Sequence, residues 1–96
     1  MRVLVVEDEA GLAHVIERWL REHAYAVDVA DSGKQALFLA SVNPYDAILL
    51  DLNIPEPNGF EVLRRLRERG NKARAARALG VSRRKLYRLL EKYKVE

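Results

Sequence analysis

The chain has 96 residues, 49% hydrophobic and 32% charged, with no cysteine and a formal net charge of +3. That is enough apolar material for one core. It excludes a disulfide framework, a thiolate metal site and a cysteine nucleophile, and no apolar run approaches the roughly 20 residues that a membrane span needs. The opening MRVLVVEDEA meets acids too early for a signal peptide, so the expected setting is cytoplasmic, with no membrane partner. The charge is uneven. Residues 1–70 hold 8 Lys+Arg against 12 Asp+Glu, a balance of −4, while residues 71–96 hold 9 against 2, a balance of +7. A basic segment behind an acidic one points to two parts with different partners.

Up to about Gly70 the pattern alternates strand and helix. Val3-Leu4-Val5-Val6 is a short β-branched run that stops at Glu7-Asp8-Glu9, as a buried parallel strand entering a loop does. Leu12, Val15, Ile16, Trp19 and Leu20 then fall on one helical stripe, which places Trp19 in the core. His14 and His23 lie on the same helix without partners at ligand spacing and are expected at its surface or rim. Ala26–Ala30 reads as a second strand. A second helix, capped by Asp31 or Ser32, points Ala36, Leu37, Leu39 and Ala40 inward and stops before Asn43-Pro44.

Ala47-Ile48-Leu49-Leu50 is a third strand, ending at Asp51. The loop 53–59 carries two of the three prolines, and Phe60, Val62, Leu63 and Leu66 open a third helix running to Gly70. Beyond it, Ala73, Ala75, Ala76 and Leu79 form a short Ala-rich helical pattern. Gly80-Val81-Ser82 breaks that pattern, and a last helix carries Leu86, Leu89, Leu90 and Tyr93.

Three βα units imply a parallel sheet with right-handed crossovers. Glu7, Asp8 and Asp51 each fall at the C-terminal end of such a strand, the edge where open α/β sheets gather ligands. Three carboxylates gathered there repel one another. Their convergence signals a hard cation with oxygen ligands, Mg²⁺ first among them. A carboxylate beside such a cation is placed to accept a phosphoryl group.

The segments MRVLVVEDE and NPYDAILLDLNIPEPNGFEVLRRLR, with the spacing between them, resemble the first half of a bacterial response-regulator receiver domain. The resemblance implies that Asp51 is the phospho-acceptor and that Glu7 and Asp8 hold Mg²⁺. It further implies that Asn53 offers the metal a backbone carbonyl and that Pro55 and Gly59 shape the loop. Ala24 stands where that family often has Gly at a helix end. The family has five strands, and this chain is expected to stop after three, with no later segment able to supply the others. Without the Ser/Thr and Lys of the missing half, Asp51 is expected to be a vestigial acceptor, with weak metal binding and no conformational relay.

The stretch GNKARAARALGVSRRKLYRLLEKY resembles the helix-turn-helix of Fis-type DNA-binding domains. By that resemblance Ser82, Arg83, Lys85 and Arg88 face DNA, with Lys72 and Arg74 nearby. Leu89 sits where the family tends to carry Lys on its DNA side, so DNA contact is expected to be non-specific.

The expected architecture is therefore α/β. It has a three-stranded parallel sheet of order 2-1-3, half of a flavodoxin-like fold, with helices on both faces. Residues 1–70 form the receiver-like half domain, and residues 71–96 form a helix-turn-helix packed into the same core through Leu79, Val81, Leu86, Leu89, Leu90 and Tyr93. The expected molecule is a monomeric, engineered chimera of two fragments, not an enzyme and without an evolved activity. The alternative is a truncated two-component response regulator with a Mg²⁺-dependent aspartyl acceptor and a DNA-binding helix-turn-helix.

Overall fold

The computed structural model describes residues 1–69 and the backbone of residues 76–77. The elements in chain order are β1 (Arg2–Val6), α1 (Ala10–Glu22), β2 (Ala26–Ala30), α2 (Gly33–Val42), β3 (Ala47–Leu50), α3 (Gly59–Glu68) and β4 (Ala76–Arg77). The strands form one parallel sheet of order β2-β1-β3-β4. β1 is central, with Val6 level with Ala30 on one side and Leu50 on the other. The three βα units and the 2-1-3 order are as the periodicity predicts.

The two sheet faces bury different sets because side chains alternate along a strand. Leu4, Val6, Ile48 and Leu50 point to the face covered by α2 and α3. There they meet Ala36, Leu37, Ala40, Tyr45, Val62 and Leu66. Val3, Val5 and Val27 point to the other face, against Leu20 and Ile16 of α1.

Each described helix starts on a side-chain cap. Ser32 Oγ accepts from the Gln35 N–H at 3.1 Å, so Ser32 rather than Asp31 caps α2. Asn58 Oδ1 accepts from the Glu61 N–H at 3.0 Å and starts α3. Such caps satisfy amides that have no partner within the helix.

Two sequence expectations are corrected. Trp19 is not in the core. It is 42% exposed, because the buried stripe of α1 runs through Leu12, Ala13 and Leu20, and Trp19 lies on its flank, with its ring 4.2 Å from that of His23. Both His14 and His23 are exposed, as expected. The second correction concerns the sheet, which does not stop at three strands. Ala76–Arg77 is extended and pairs in parallel with β3, Ile48 level with Ala76 and Leu49 with Arg77. An edge strand presents unpaired N–H and C=O groups. Satisfying that edge overrides the helical propensity of the Ala-rich stretch at Ala76. The remaining residues of the expected helix-turn-helix, its apolar contact set included, lie outside the described residues.

The chain turns from α1 into β2 at Ala24, whose φ of 66° lies in the left-handed region that favours glycine. Among the described residues no helix is long and apolar enough to cross a membrane.

Candidate functional site

Parallel strands deliver their C-terminal ends to one edge, and the residue after each strand leaves the sheet there. Glu7 follows β1 and remains tied to β2 through its N–H, which donates to the Ala30 carbonyl at 3.0 Å. Asp51 follows β3 and its N–H donates to the Val6 carbonyl at 3.1 Å. The backbones that carry two of the carboxylates are thereby tied to neighbouring strands before any side-chain contact is made.

The structure brings together the three acids that the sequence singles out. One carboxylate oxygen each from Glu7, Asp8 and Asp51 lie within 4.8 Å of one another. Glu7 is buried, only 4% exposed, whereas Asp51 is half-buried and Asp8 exposed. The donor set is all carboxylate oxygen, which suits a hard divalent cation and offers nothing for a thiophilic one. The residues thus fit Mg²⁺.

The side chains around the edge are held by backbone donors. Asp51 Oδ1 accepts from the Asn53 N–H at 2.9 Å, which fixes the carboxylate against its own loop. The side of Asn53 that the structure shows engaged is therefore its amide. Glu7 Oε1 accepts from the Glu9 N–H at 3.2 Å. Glu9 in turn caps α1, its Oε1 accepting from Gly11 N–H and its Oε2 from Leu12 N–H, both at 3.0 Å. Sequence reasoning missed Glu9, because glutamate is not among the preferred capping residues and its spacing carries no signal.

Gly59 belongs to the site for a steric reason. A Cβ there would stand 2.5 Å from Leu52 Cα and 2.6 Å from the Asp51 carbonyl oxygen, so only glycine lets α3 start against the acceptor strand. Gly33 is similar: its Cβ would meet the Pro57 carbonyl oxygen at 2.2 Å. Both ends of the loop that follows Asp51 are clamped in this way, and Ile54 buries its middle. Pro55 itself is exposed. The DNA-facing set Ser82, Arg83, Lys85 and Arg88 lies outside the described residues.

Comparison with known proteins agrees with this geometry. The sequence profile of the family described as response regulator receiver domain matches residues 3–85. The cell cycle response regulator CtrA of Brucella ovis is 45% identical over 67 residues, which are 70% of this chain and 29% of that protein. The chain thus matches less than a third of that relative's length. The Francisella response regulator 1452 receiver domain is a structural neighbour with a TM-score of 0.73 and 32% identity, covering 92% of this chain and 74% of that one. Response regulator TrrA of Thermotoga maritima, in complex with Mg(2+)-BeF, has a TM-score of 0.70 and 34% identity, covering 77% of this chain and 63% of that one.

The profile runs on past residue 70, and β4 stands inside the stretch expected to be the first helix of the pair. The receiver part of the regulator alternative is accordingly favoured over the engineered chimera.

Proposed function

The chain belongs to the response regulator receiver domain family, and on that premise we propose that it accepts a phosphoryl group on Asp51 to form an aspartyl phosphate. The observation that carries this reading is the convergence of Glu7, Asp8 and Asp51 within 4.8 Å at the C-terminal edge of the sheet. A carboxylate oxygen of Asp51 attacks the phosphorus of an acyl phosphate such as acetyl phosphate. The new P–O bond forms as the donor's P–O bond breaks, and the donor leaves as its carboxylate. The Asn53 N–H on Oδ1 holds the Asp51 side chain in one orientation while this happens.

Mg²⁺ would be held by Glu7, Asp8, Asp51 and the backbone carbonyl of Asn53. When bound it offsets negative charge that the phosphoryl oxygens bring to an already acidic edge. A neighbour crystallised with Mg(2+)-BeF, a mimic of the phosphoryl group, supports this use of the site. Binding is expected near millimolar, about −4 kcal/mol. The step is stoichiometric, so the chain acts as an acceptor and not as an enzyme.

The test is incubation with acetyl phosphate and Mg²⁺, read by intact-protein mass spectrometry. One phosphoryl adduct that disappears in Asp51→Asn supports the proposal. Labelling that persists in Asp51→Asn, or none in the unmodified chain, overturns it.

A second proposal concerns residues 71–96, whose balance is +7. They contact DNA without sequence selectivity through Ser82, Arg83, Lys85 and Arg88. Each neutralised phosphate adds about 0.9 to the slope of log affinity against log salt. Titrations at two salt concentrations test it, and nanomolar, sequence-selective binding at physiological salt would contradict it.

A further inference from the structure

The acids of the site sit on unequal supports. Glu7 and Asp51 are tied by their amides to neighbouring strands. Asp8 is exposed and is the one residue between Glu7 and Glu9, the cap of α1, outside the paired register of the sheet. The backbone on either side of Asp8 therefore helps set where its side chain is presented.

On the far side stands Glu9, and its position is secured three times. Its carboxylate takes the first free amides of α1, those of Gly11 and Leu12. Its carbonyl accepts from the Ala13 N–H at 3.0 Å, closing the first helical turn. Its own N–H points away from the helix and donates to Glu7 Oε1 at 3.2 Å. The N-cap residue has extended backbone (φ −89°, ψ 109°), and that geometry is what turns its N–H toward Glu7. The cap of α1 and the orientation of the buried Glu7 carboxylate are one hydrogen-bonded unit, with Asp8 strung across it.

We propose that Glu9 is a positioning residue for the cation site: by capping α1 through its carboxylate it fixes the backbone N–H that aims Glu7 and the backbone bend that presents Asp8. The inference rests on the reading of Glu7, Asp8 and Asp51 as a Mg²⁺ site. Glu9 needs no contact with the cation, and its negative charge is incidental to the role. Its effect is preorganisation: acids held in place before the ion arrives spare the ordering cost at binding. Groups that orient metal ligands without touching the metal typically contribute tenfold or more to affinity.

The experiment is a Mg²⁺ titration of the full chain followed by the amide and carboxylate NMR signals of Glu7, Asp8 and Asp51. Glu9→Ala removes the cap and the charge, whereas Glu9→Ser removes the charge but keeps a good cap. Urea unfolding in EDTA records the stability of each variant independently. The expected result is about a tenfold loss of Mg²⁺ affinity in Glu9→Ala, with affinity largely restored in Glu9→Ser. Hydrogen exchange at Leu12 should quicken in Glu9→Ala only.

Equal affinity in all three chains, with Glu9→Ala merely less stable, reduces Glu9 to a helix cap and overturns the inference. Equal loss in both variants assigns the effect to charge and overturns it too. No Mg²⁺ response in the unmodified chain is a different failure, that of the site reading itself. If Glu9→Ala is unfolded, the comparison of Glu9→Ser with the unmodified chain still separates cap from charge.

Discussion

The two ends of the sheet handle carboxylates in opposite ways. Toward the N-terminal edge the half-buried Asp28, midway along β2, is paired with side chains that come from that edge. Its Oδ2 accepts from the Tyr45 hydroxyl at 2.7 Å and from the Arg2 guanidinium at 2.8 Å, and that guanidinium also lies over the Tyr45 ring. The Tyr45 hydrogen bond, reinforced by Arg2 against the opposing effect of burial, holds the Asp28 carboxyl below its ordinary 3.8. At the C-terminal edge three carboxylates are gathered within 4.8 Å. The first edge pairs its acid within the fold, and the second gathers like charges, the arrangement that the proposed cation site calls for. Removing a carboxylate partner should therefore destabilise one edge, while removing a carboxylate should relieve the other.

The largest effect is expected where the acid edge depends on a missing side chain. Gly59→Ala would drive a methyl group into the backbone of Leu52 and Asp51. The cost should be about 3 kcal/mol, the upper end for overpacking against atoms that cannot rotate away. Urea unfolding measures it, and NMR signals of Asp51 and Asn53 should shift with it.

Next comes Tyr45→Phe at the opposite edge, which removes a buried hydroxyl from a carboxylate. A loss of about 2 kcal/mol is expected, as for hydrogen bonds to charged groups. The pH dependence gives a sharper form of the same test. Burial, with the Asp28 hydrogen bond adding to it, pushes the Tyr45 hydroxyl from 10.0 up to about 12. The raised value favours the neutral phenol, so its contribution is complete below pH 10 and drains away between pH 10 and about 12. Asp28 works in reverse: its lowered value contributes above pH 3.8 and is lost as pH falls below that through the folded value. Unfolding midpoints measured from pH 9 to 12 should fall more steeply in the unmodified chain than in Tyr45→Phe, since only the former has this phenol to ionise.

Relief is expected at the acid edge. Asp51→Asn removes one of three mutually repelling charges and should stabilise the Mg²⁺-free chain by on the order of 1 kcal/mol. Thermal unfolding in EDTA measures it. The smallest effect belongs to Ala24, held at φ 66° near the Tyr45 end. Ala24→Gly should stabilise by about 0.5 kcal/mol, the strain released being partly offset by the greater freedom of glycine in the unfolded chain. Differential scanning calorimetry resolves a change of that size.

These differences mark how far the sequence could be read. Short strand-like runs place β2 and β3, and the helical pattern places the inward side of α2, because burial dominates those segments, whereas Phe60 of α3 is 65% exposed. The acid triad was legible for a related reason: in a parallel sheet the residue after each strand has one place to go. Trp19 was misplaced because a five-residue stripe is wider than the face α1 buries, and the flanking position reaches solvent. β4 was missed because its two residues have no strand pattern of their own, and the demand comes from the edge of β3. Glu9 was invisible for lack of a propensity signal, since its role exists only once Glu7 and the start of α1 are in place.

Mg²⁺-dependent stabilisation tests the contrast between the two edges most directly, measured as thermal unfolding of the chain and of Asp51→Asn in EDTA and in 10 mM Mg²⁺. With a dissociation constant near millimolar, a concentration about ten times higher should stabilise the unmodified chain by about 1.4 kcal/mol. Asp51→Asn should begin more stable in EDTA and gain little from Mg²⁺. Equal gains in both chains, or none in either, would contradict the assignment of Glu7, Asp8 and Asp51 as a cation-dependent acceptor site.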